Sequence, residues 1–243
     1  MITFIKRVNR RINKIFSKNS QAVSYDFNIS NPLGGNGERV DIQLNKNIGF
    51  DKLDIYQKNH WRRYEFAREL IEPNDVCGDF ACGTGYGSIM LSDKAIAVTG
   101  ADLNAEVIDA IKERYKYYNK VNFLNENLLN LNFENYFDKI VSFETLEHFN
   151  EPDFKKLLLL FNKALVKNGK LIFSTPYLQE ASEAAVNAGF HLTFYINEEK
   201  INNWMNEAGF TIESLQYQNY DTHSIERVLQ KKEFIVGVAI KNN

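Results

Sequence analysis

Apolar and polar positions along the chain change period several times, and each change marks an element. Ile5, Val8, Ile12 and Ile15 recur at three-four spacing, which predicts an amphipathic helix near the N-terminus. From Asn19 to Gly49 the pattern dissolves, and "NPLGGNG" (31–37) reads as a turn or mobile loop. Helical spacing returns in "NHWRRYEFARELI" (59–71) and stops at Pro73–Asn74. Short, nearly continuous apolar runs then alternate with helical stretches. The runs are "DVCGDF", "AIAVTGADL" (95–103), "VNFLNEN" (121–127), "DKIVSFE" (138–144) and "GKLIFSTP" (169–176). Helices are predicted after Gly85, up to Tyr118, over 151–166 and over 197–208. Two late apolar runs, "FTIESLQYQ" and "EFIVGVAIK", make seven strands in all. Such alternation predicts an α/β fold, a doubly wound and mainly parallel seven-stranded sheet covered on both faces. The division expected is an N-terminal part, 1–49, and a main domain, 50–243.

Charge sharpens this division. The net charge is −2, but Lys6, Arg7, Arg10, Arg11, Lys14 and Lys18 supply six of the 29 basic residues. Beyond residue 18 there remain 23 cations against 31 acids, a poor match for nucleic acid, whose binding leans on phosphate neutralisation. The basic first helix reads as a solvated face packed on the domain, with a peripheral membrane contact, a partner helix or a homodimer surface as the competing roles. No apolar run is long enough to cross a membrane, and the N-terminus lacks the core of a secretory signal. Cys77 and Cys82, five apart, suit reduced thiols, so a cytoplasmic location is expected.

The chemistry starts at "VCGDFACGTGYGS" (76–88). No Gly-Lys-Ser/Thr follows, so this is not a Walker loop, and Gly83, Gly85 and Gly87 are spaced two and two, unlike a dinucleotide fingerprint. Asp79, an acid ending an apolar strand, would repel phosphates and favour a cationic ligand. S-adenosylmethionine, with its sulfonium and ammonium, is such a ligand.

"DFACGTGYG" resembles the first motif of the class I S-adenosylmethionine-dependent methyltransferases, with Ala81 where many members have glycine. "VTGADLNAEVIDAIKERY" (98–115) resembles their second motif, in which the acid, here Asp102, grips the ribose hydroxyls. "NFLNENLLNLNF" (122–133) resembles the third, with Asn127 in place of the acid that meets the adenine amine. The resemblance covers about residues 50–240. It implies a cofactor site at Asp79, Ala81, Gly83, Gly85, Asp102, Leu103, Asn127 and Leu128. Arg63 and Tyr56, ahead of the first strand, would pair with and cover the cofactor's amino-acid end. Singly, each of these residues has a plainer reading: a turn for the glycines, a helix cap for Asp102, a loop position for Asn127 and a surface site for Arg63.

The fourth strand ends in "SFETLEHF" (142–149), which sets Glu144, Glu147 and His148 close together, and His191 follows the fifth strand. Two carboxylates and two imidazoles suit Mg²⁺, Mn²⁺ or Fe²⁺ with open positions. The pattern is similar to the metal site of small-RNA 3′-terminal 2′-O-methyltransferases and resembles ubiquinone-pathway O-methyltransferases. Glu144, His148 and His191 are the candidate catalytic groups, and all four the candidate metal ligands. The plainer reading keeps the Glu structural and leaves His148 or His191 as a base.

The motif set looks most like bacterial methyltransferases of surface-polysaccharide and sugar biosynthesis. The expectation is an O-methyltransferase for a sugar or nucleotide-sugar hydroxyl, with a capsule or lipooligosaccharide precursor as acceptor. The alternatives are a metal-independent small-molecule methyltransferase, a NAD-dependent reductase, an RNA 2′-O-methyltransferase and a non-catalytic partner protein.

Overall fold

The computed structural model describes residues 39–44, 49–189 and 191–242, so the expected N-terminal helix lies outside the described residues. One eight-stranded sheet organises the chain: β1 (Val76–Phe80), β2 (Ala97–Asp102), β3 (Val121–Asn125), β4 (Phe137–Phe143), β5 (Leu165–Pro176), β6 (Phe210–Gln218), β7 (Ile225–Glu226) and β8 (Phe234–Lys241). The strand order is β3-β2-β1-β4-β5-β8-β6-β7. Pairings from β3 through β5 are parallel, whereas β8 runs antiparallel between β5 and β6. The seven expected strands are all present, and the eighth, β7, is a two-residue addition at the β6 edge.

Helices fill the connections: α1 (Ile55–Glu69), α2 (Tyr86–Ser92), α3 (Ala105–Arg114), α4 (Glu151–Ala164), α5 (Glu183–Ala188) and α6 (Glu198–Glu207). Their starts follow local chemistry. Asp54 and Gln57 form a reciprocal capping box on α1, and Asn104, Asn150 and Asn197 cap α3, α4 and α6. α5 was not legible as a helix. β5 starts at Leu165, before the expected Gly169, and its register with β4 shifts between Phe137 and Lys139. The shift coincides with Asn168 at a positive φ of 59°.

Alternation along each strand feeds two faces. Val76 and Phe80 of β1 point to a core with Phe137, Phe154, Phe161 and Phe173, while Cys77 points to Tyr64, Ala67 and Met90 on the other side. Each fully buried Phe of this kind contributes about 1.5–3 kcal/mol. Both cysteines are buried and free. Residues 39–44, expected to belong to a mobile stretch, have no regular structure but are strapped to the domain. Ile42 is fully buried, and the Asp41 carboxylate takes two hydrogen bonds from Arg114 at 2.7 and 3.2 Å.

Candidate active site

The carboxyl ends of the parallel strands open into a cavity of about 500 Å³. Its floor is the turn after β1. Gly83 has φ 51° and nothing within 4 Å of where a Cβ would stand, so the backbone there is open to a ligand. Gly85, at φ 77°, starts α2, and a Cβ would collide with Phe123 at 2.9 Å. Ala81 adopts φ 63° without being glycine, a strained conformation at the cavity wall.

Asp102 ends β2 at this floor. One carboxylate oxygen accepts from Gly83 N at 3.0 Å and the other from Asn104 N at 3.0 Å, while Arg39 approaches at 3.7 Å. The turn, strand end and helix cap are thus tied by one side chain that still faces the cavity. Leu103, 70% exposed, and the buried Leu128 line the same end. Asn127 lines it too, but its amide oxygen accepts from Leu129 N at 2.9 Å, capping a short 3-10 turn. The oxygen expected for an adenine amine is already in use.

Three expected cofactor residues have other neighbours. Asp79 lies beneath the lining: its oxygens accept from Tyr64 Oη at 3.1 Å and Ser88 Oγ at 2.6 Å. Burial raises its pKa to about 6 despite those two bonds, so its influence on the cavity passes through Tyr64, which lines the wall. Arg63 is buried rather than free. Its Nη1 lies 2.7 Å from Glu144 Oε1 and donates to Ser174 Oγ at 3.2 Å, and its guanidinium stacks 4.6 Å from the Phe234 ring. Tyr56 is 60% exposed and packs on Tyr220, away from the cavity lining.

The acceptor side is built around β4. Glu144 follows it with φ 48°, and Ser174 Oγ donates to Oε1 at 2.8 Å. A 3-10 turn, Leu146–His148, then brings Glu147 inward. Glu147 is fully buried, and neither carboxylate oxygen has a partner in good hydrogen-bond geometry, although Thr175 is close enough to favour its charged form slightly. Burial first, and Glu144 second, push its pKa well above the ordinary carboxylate value. The loop after β5 closes over it: Leu192 N and Thr193 N donate to the Glu147 carbonyl at 2.8 and 3.1 Å. That clamp sets His191 against His148, with ring centroids 5.0 Å apart. Gln179 Oε1 holds His191 Nδ1 at 2.6 Å, and burial lowers the His191 pKa to about 4.

Glu147, His148 and His191 each offer a ligand atom within 4.8 Å of the others. Glu144 stands outside this cluster because Arg63 and Ser174 hold its carboxylate. The four-residue metal set expected from sequence becomes three, and of these His148 lines the cavity. Among the lining residues that sequence reasoning passed over are His60 and Arg39. His60 has a signal in its place on α1, three residues before Arg63. Arg39 lies in a stretch whose pattern gave none.

The profile of a family described as a methyltransferase domain matches residues 78–169, from within β1 through β4 into β5. Residues 78–169 thus match a methyltransferase domain, and the fold that surrounds them is the α/β methyltransferase fold. A demethylmenaquinone methyltransferase from Staphylococcus haemolyticus is 29% identical over 135 residues, 54% of this chain and 53% of that protein. The chain therefore matches about half the length of this curated relative. An S-adenosylmethionine-dependent methyltransferase from Clostridium acetobutylicum superposes with a TM-score of 0.60 at 16% identity, over 79% of this chain and 94% of that one. The N-methyltransferase NodS from Bradyrhizobium japonicum, in complex with S-adenosyl-L-homocysteine, gives 0.61 at 15% identity over 80% and 91%. At such identities the two structures establish the fold. No helix among the described residues of the methyltransferase domain's chain is long and apolar enough to cross a membrane.

Proposed function

We propose that the protein transfers the methyl group of S-adenosylmethionine to a hydroxyl of a small sugar or nucleotide-sugar, with a divalent cation at Glu147, His148 and His191. The observation that carries this reading is Glu147. A fully buried carboxylate with no hydrogen bond costs several kcal/mol unless it is neutralised or coordinated. Two imidazoles beside it supply the rest of a coordination set. Nitrogen-rich sets of this kind favour Mn²⁺ or Fe²⁺ over Mg²⁺, which prefers oxygen. The residues present fit such an ion, which when bound would lower the pKa of an acceptor hydroxyl.

Asp102 supports the donor half of the reading, since a carboxylate at the end of β2 can accept from both hydroxyls of a ribose. The open turn at Gly83 leaves room for the donor to approach the protein backbone closely. The acceptor oxygen attacks the methyl carbon in line with the carbon–sulfur bond, whose electron pair returns to sulfur. With a cation held there, the acidified hydroxyl would lose its proton to solvent; without one, His148, the histidine of the cluster that lines the cavity, would take the proton as a base. Most of the rate gain comes from holding the two reactants in line. A vicinal diol presents two oxygens to one cation, which is why a sugar suits the site. The excess of acids over cations beyond residue 18 favours a small acceptor over nucleic acid.

Elemental analysis of protein purified without a metal-affinity tag, wild type beside His191→Ala, tests the metal. Stoichiometric Mn or Fe in the wild type, lost in the variant, is expected. A metal-free wild type that stays unchanged on adding Mn²⁺ or Fe²⁺ would remove the cation and leave His148 as a base acting alone. Calorimetric titration with S-adenosylhomocysteine tests the donor half separately.

A further inference from the structure

The loop after β5 is closed on itself at its base. Leu178 N donates to Ile196 O at 2.8 Å and Tyr195 N to Gln179 O at 3.0 Å, so the two ends of the loop run side by side. Leu178 and Tyr195 hold left-handed φ angles of 50° and 53° there, conformations that persist in such residues only where the surroundings impose them. The returning limb is also tied to the 3-10 turn after β4. Leu192 N and Thr193 N donate to Glu147 O, and Thr193 Oγ1 donates to Phe149 O at 2.6 Å. His191 directly precedes the two residues that grip Glu147.

One side-chain bond spans this loop, between positions twelve apart: His191 Nδ1 and Gln179 Oε1, at 2.6 Å. An amide oxygen only accepts, so Nδ1 carries the proton. A neutral imidazole has a single N–H, which leaves Nε2 of His191 with a free lone pair. That nitrogen is then the ring atom able to ligate a cation, and the ligand atom of His191 lies within 4.8 Å of those of Glu147 and His148. The bond to Gln179 fixes the tautomer and the rotation of the ring together. Gln179 is absent from the cavity lining, so this bond is where its side chain can act on the site.

We propose that Gln179 is a positioning residue for the cation site, holding His191 in its Nδ1–H form so that Nε2 faces Glu147 and His148. This rests on the reading that Glu147, His148 and His191 hold a divalent cation. The identity of the partner matters as well as its place. A carboxylate on the outer nitrogen makes an imidazole a stronger ligand, whereas a neutral amide does so less. Gln179 therefore makes His191 a weaker ligand than a glutamate in its place would.

Two measurements on the whole chain test this. Nitrogen-15 spectra of the imidazole rings, taken on metal-free protein at pH 8, report which ring nitrogen carries the proton. The chain has four histidines, and the signal lost in His191→Ala identifies the one of interest. Wild type is expected in the Nδ1–H form, and Gln179→Leu in the Nε2–H form that free imidazole prefers. Calorimetric titration with Mn²⁺ should show affinity lower by about tenfold or more in Gln179→Leu. Gln179→Glu, which keeps the acceptor and adds charge, should keep the Nδ1–H form and bind Mn²⁺ at least as tightly as wild type. A wild-type ring in the Nε2–H form would overturn the proposal, and that result needs no variant to fold. So would a Gln179→Leu protein within about twofold of wild type for Mn²⁺. Equal losses in the Leu and Glu variants would overturn it by leaving Gln179 a loop-closing role alone. A wild type that binds no Mn²⁺ would instead sink the cation reading. In that case a ring switched to Nε2–H in Gln179→Leu still upholds the hold of Gln179 on His191, and an unswitched ring overturns it.

Discussion

The two halves of the cavity are built by opposite means. On the β1–β3 side each polar side chain at the floor is satisfied by its own neighbourhood: Asp102 by Gly83 N and Asn104 N, Asn127 by Leu129 N. On the β4–β5 side satisfaction is incomplete. Both Glu147 oxygens, Thr175 Oγ1 and Arg63 Nε are buried without partners. Glu144, Leu178 and Tyr195 hold positive φ angles of 48°, 50° and 53° on the same side. Buried polar groups are normally paired, so a cluster of exceptions beside a cavity marks where a ligand is to supply the missing partners. One half is satisfied within the fold, and the other keeps buried polar groups unpaired beside the cavity.

The largest effect should come from breaking the buried ion pair on the β4–β5 side. Arg63→Ala removes the partner of Glu144 and the stack on Phe234. Leaving a buried charge unpaired costs about 3–5 kcal/mol, and because Glu144 keeps 20% side-chain exposure the cost here falls below that range, about 2–3 kcal/mol. Urea denaturation reads this directly. Adding Glu144→Gln to Arg63→Ala should recover part of the loss, since no charge is then left unpaired. A double variant no better than the single would show that the ion pair is not what Arg63 contributes.

On the other half the corresponding break is Asp102→Ala, whose signature is binding, on top of the stability lost with its hydrogen bonds from Gly83 N and Asn104 N. Two ribose hydroxyls lose a charged acceptor, so affinity for S-adenosylhomocysteine is expected to fall by about 100-fold. Retained affinity within about threefold would remove Asp102 from the donor site.

These two breaks also show what could be read from the chain and what could not. The donor half is contained in short stretches: a strand end, a glycine turn and the next strand end, each legible from its own residues. Asp102 and Gly83 came from that local pattern. Arg63 did not, because its partners Glu144 and Ser174 lie 81 and 111 positions away and nothing near Arg63 signals burial. His191 was legible as a candidate because histidines are few. Its clamp onto the Glu147 carbonyl through Leu192 and Thr193 depends on a loop without periodic pattern. The residues 39–44 strap failed for the same reason. Local chemistry is written locally, and long-range pairing appears only when the sheet brings the pieces together.

A subtler contrast concerns pH. The folded-state pKa of Glu147 is raised, so the native protein holds that proton more tightly than the unfolded chain. Stability of the metal-free protein should then fall as pH rises above about 4.5, the unfolded value, and level off only once the raised folded value is passed. Glu147→Gln removes this slope. The expected result is a variant whose melting temperature gains on metal-free wild type between pH 5 and pH 8, by a few degrees at the upper end. Asp79 contributes a parallel slope between its ordinary value of 3.8 and about 6, common to both proteins, and therefore cancels in the difference. A constant difference across that range would mean that Glu147 finds a partner in solution.

The smallest effect sharpens the comparison from the β1–β3 side. Asn127 spends its only acceptor on Leu129 N, whereas the resemblant family has a carboxylate at this position. Asn127→Asp keeps the cap, since Asp and Asn cap helical turns equally well. It adds a second oxygen that can face the cavity and accept from the adenine amine. Asn127 is exposed, so water competes for that bond and the gain is modest, about two- to fivefold in S-adenosylhomocysteine affinity. The inosine analogue, S-inosylhomocysteine, has a carbonyl where the amine stands and should gain nothing or lose slightly. A gain on both ligands would trace to a stiffer turn rather than to an adenine contact. A gain confined to the amine-bearing ligand would place the adenine at this edge and complete the donor's orientation from β3 to β4.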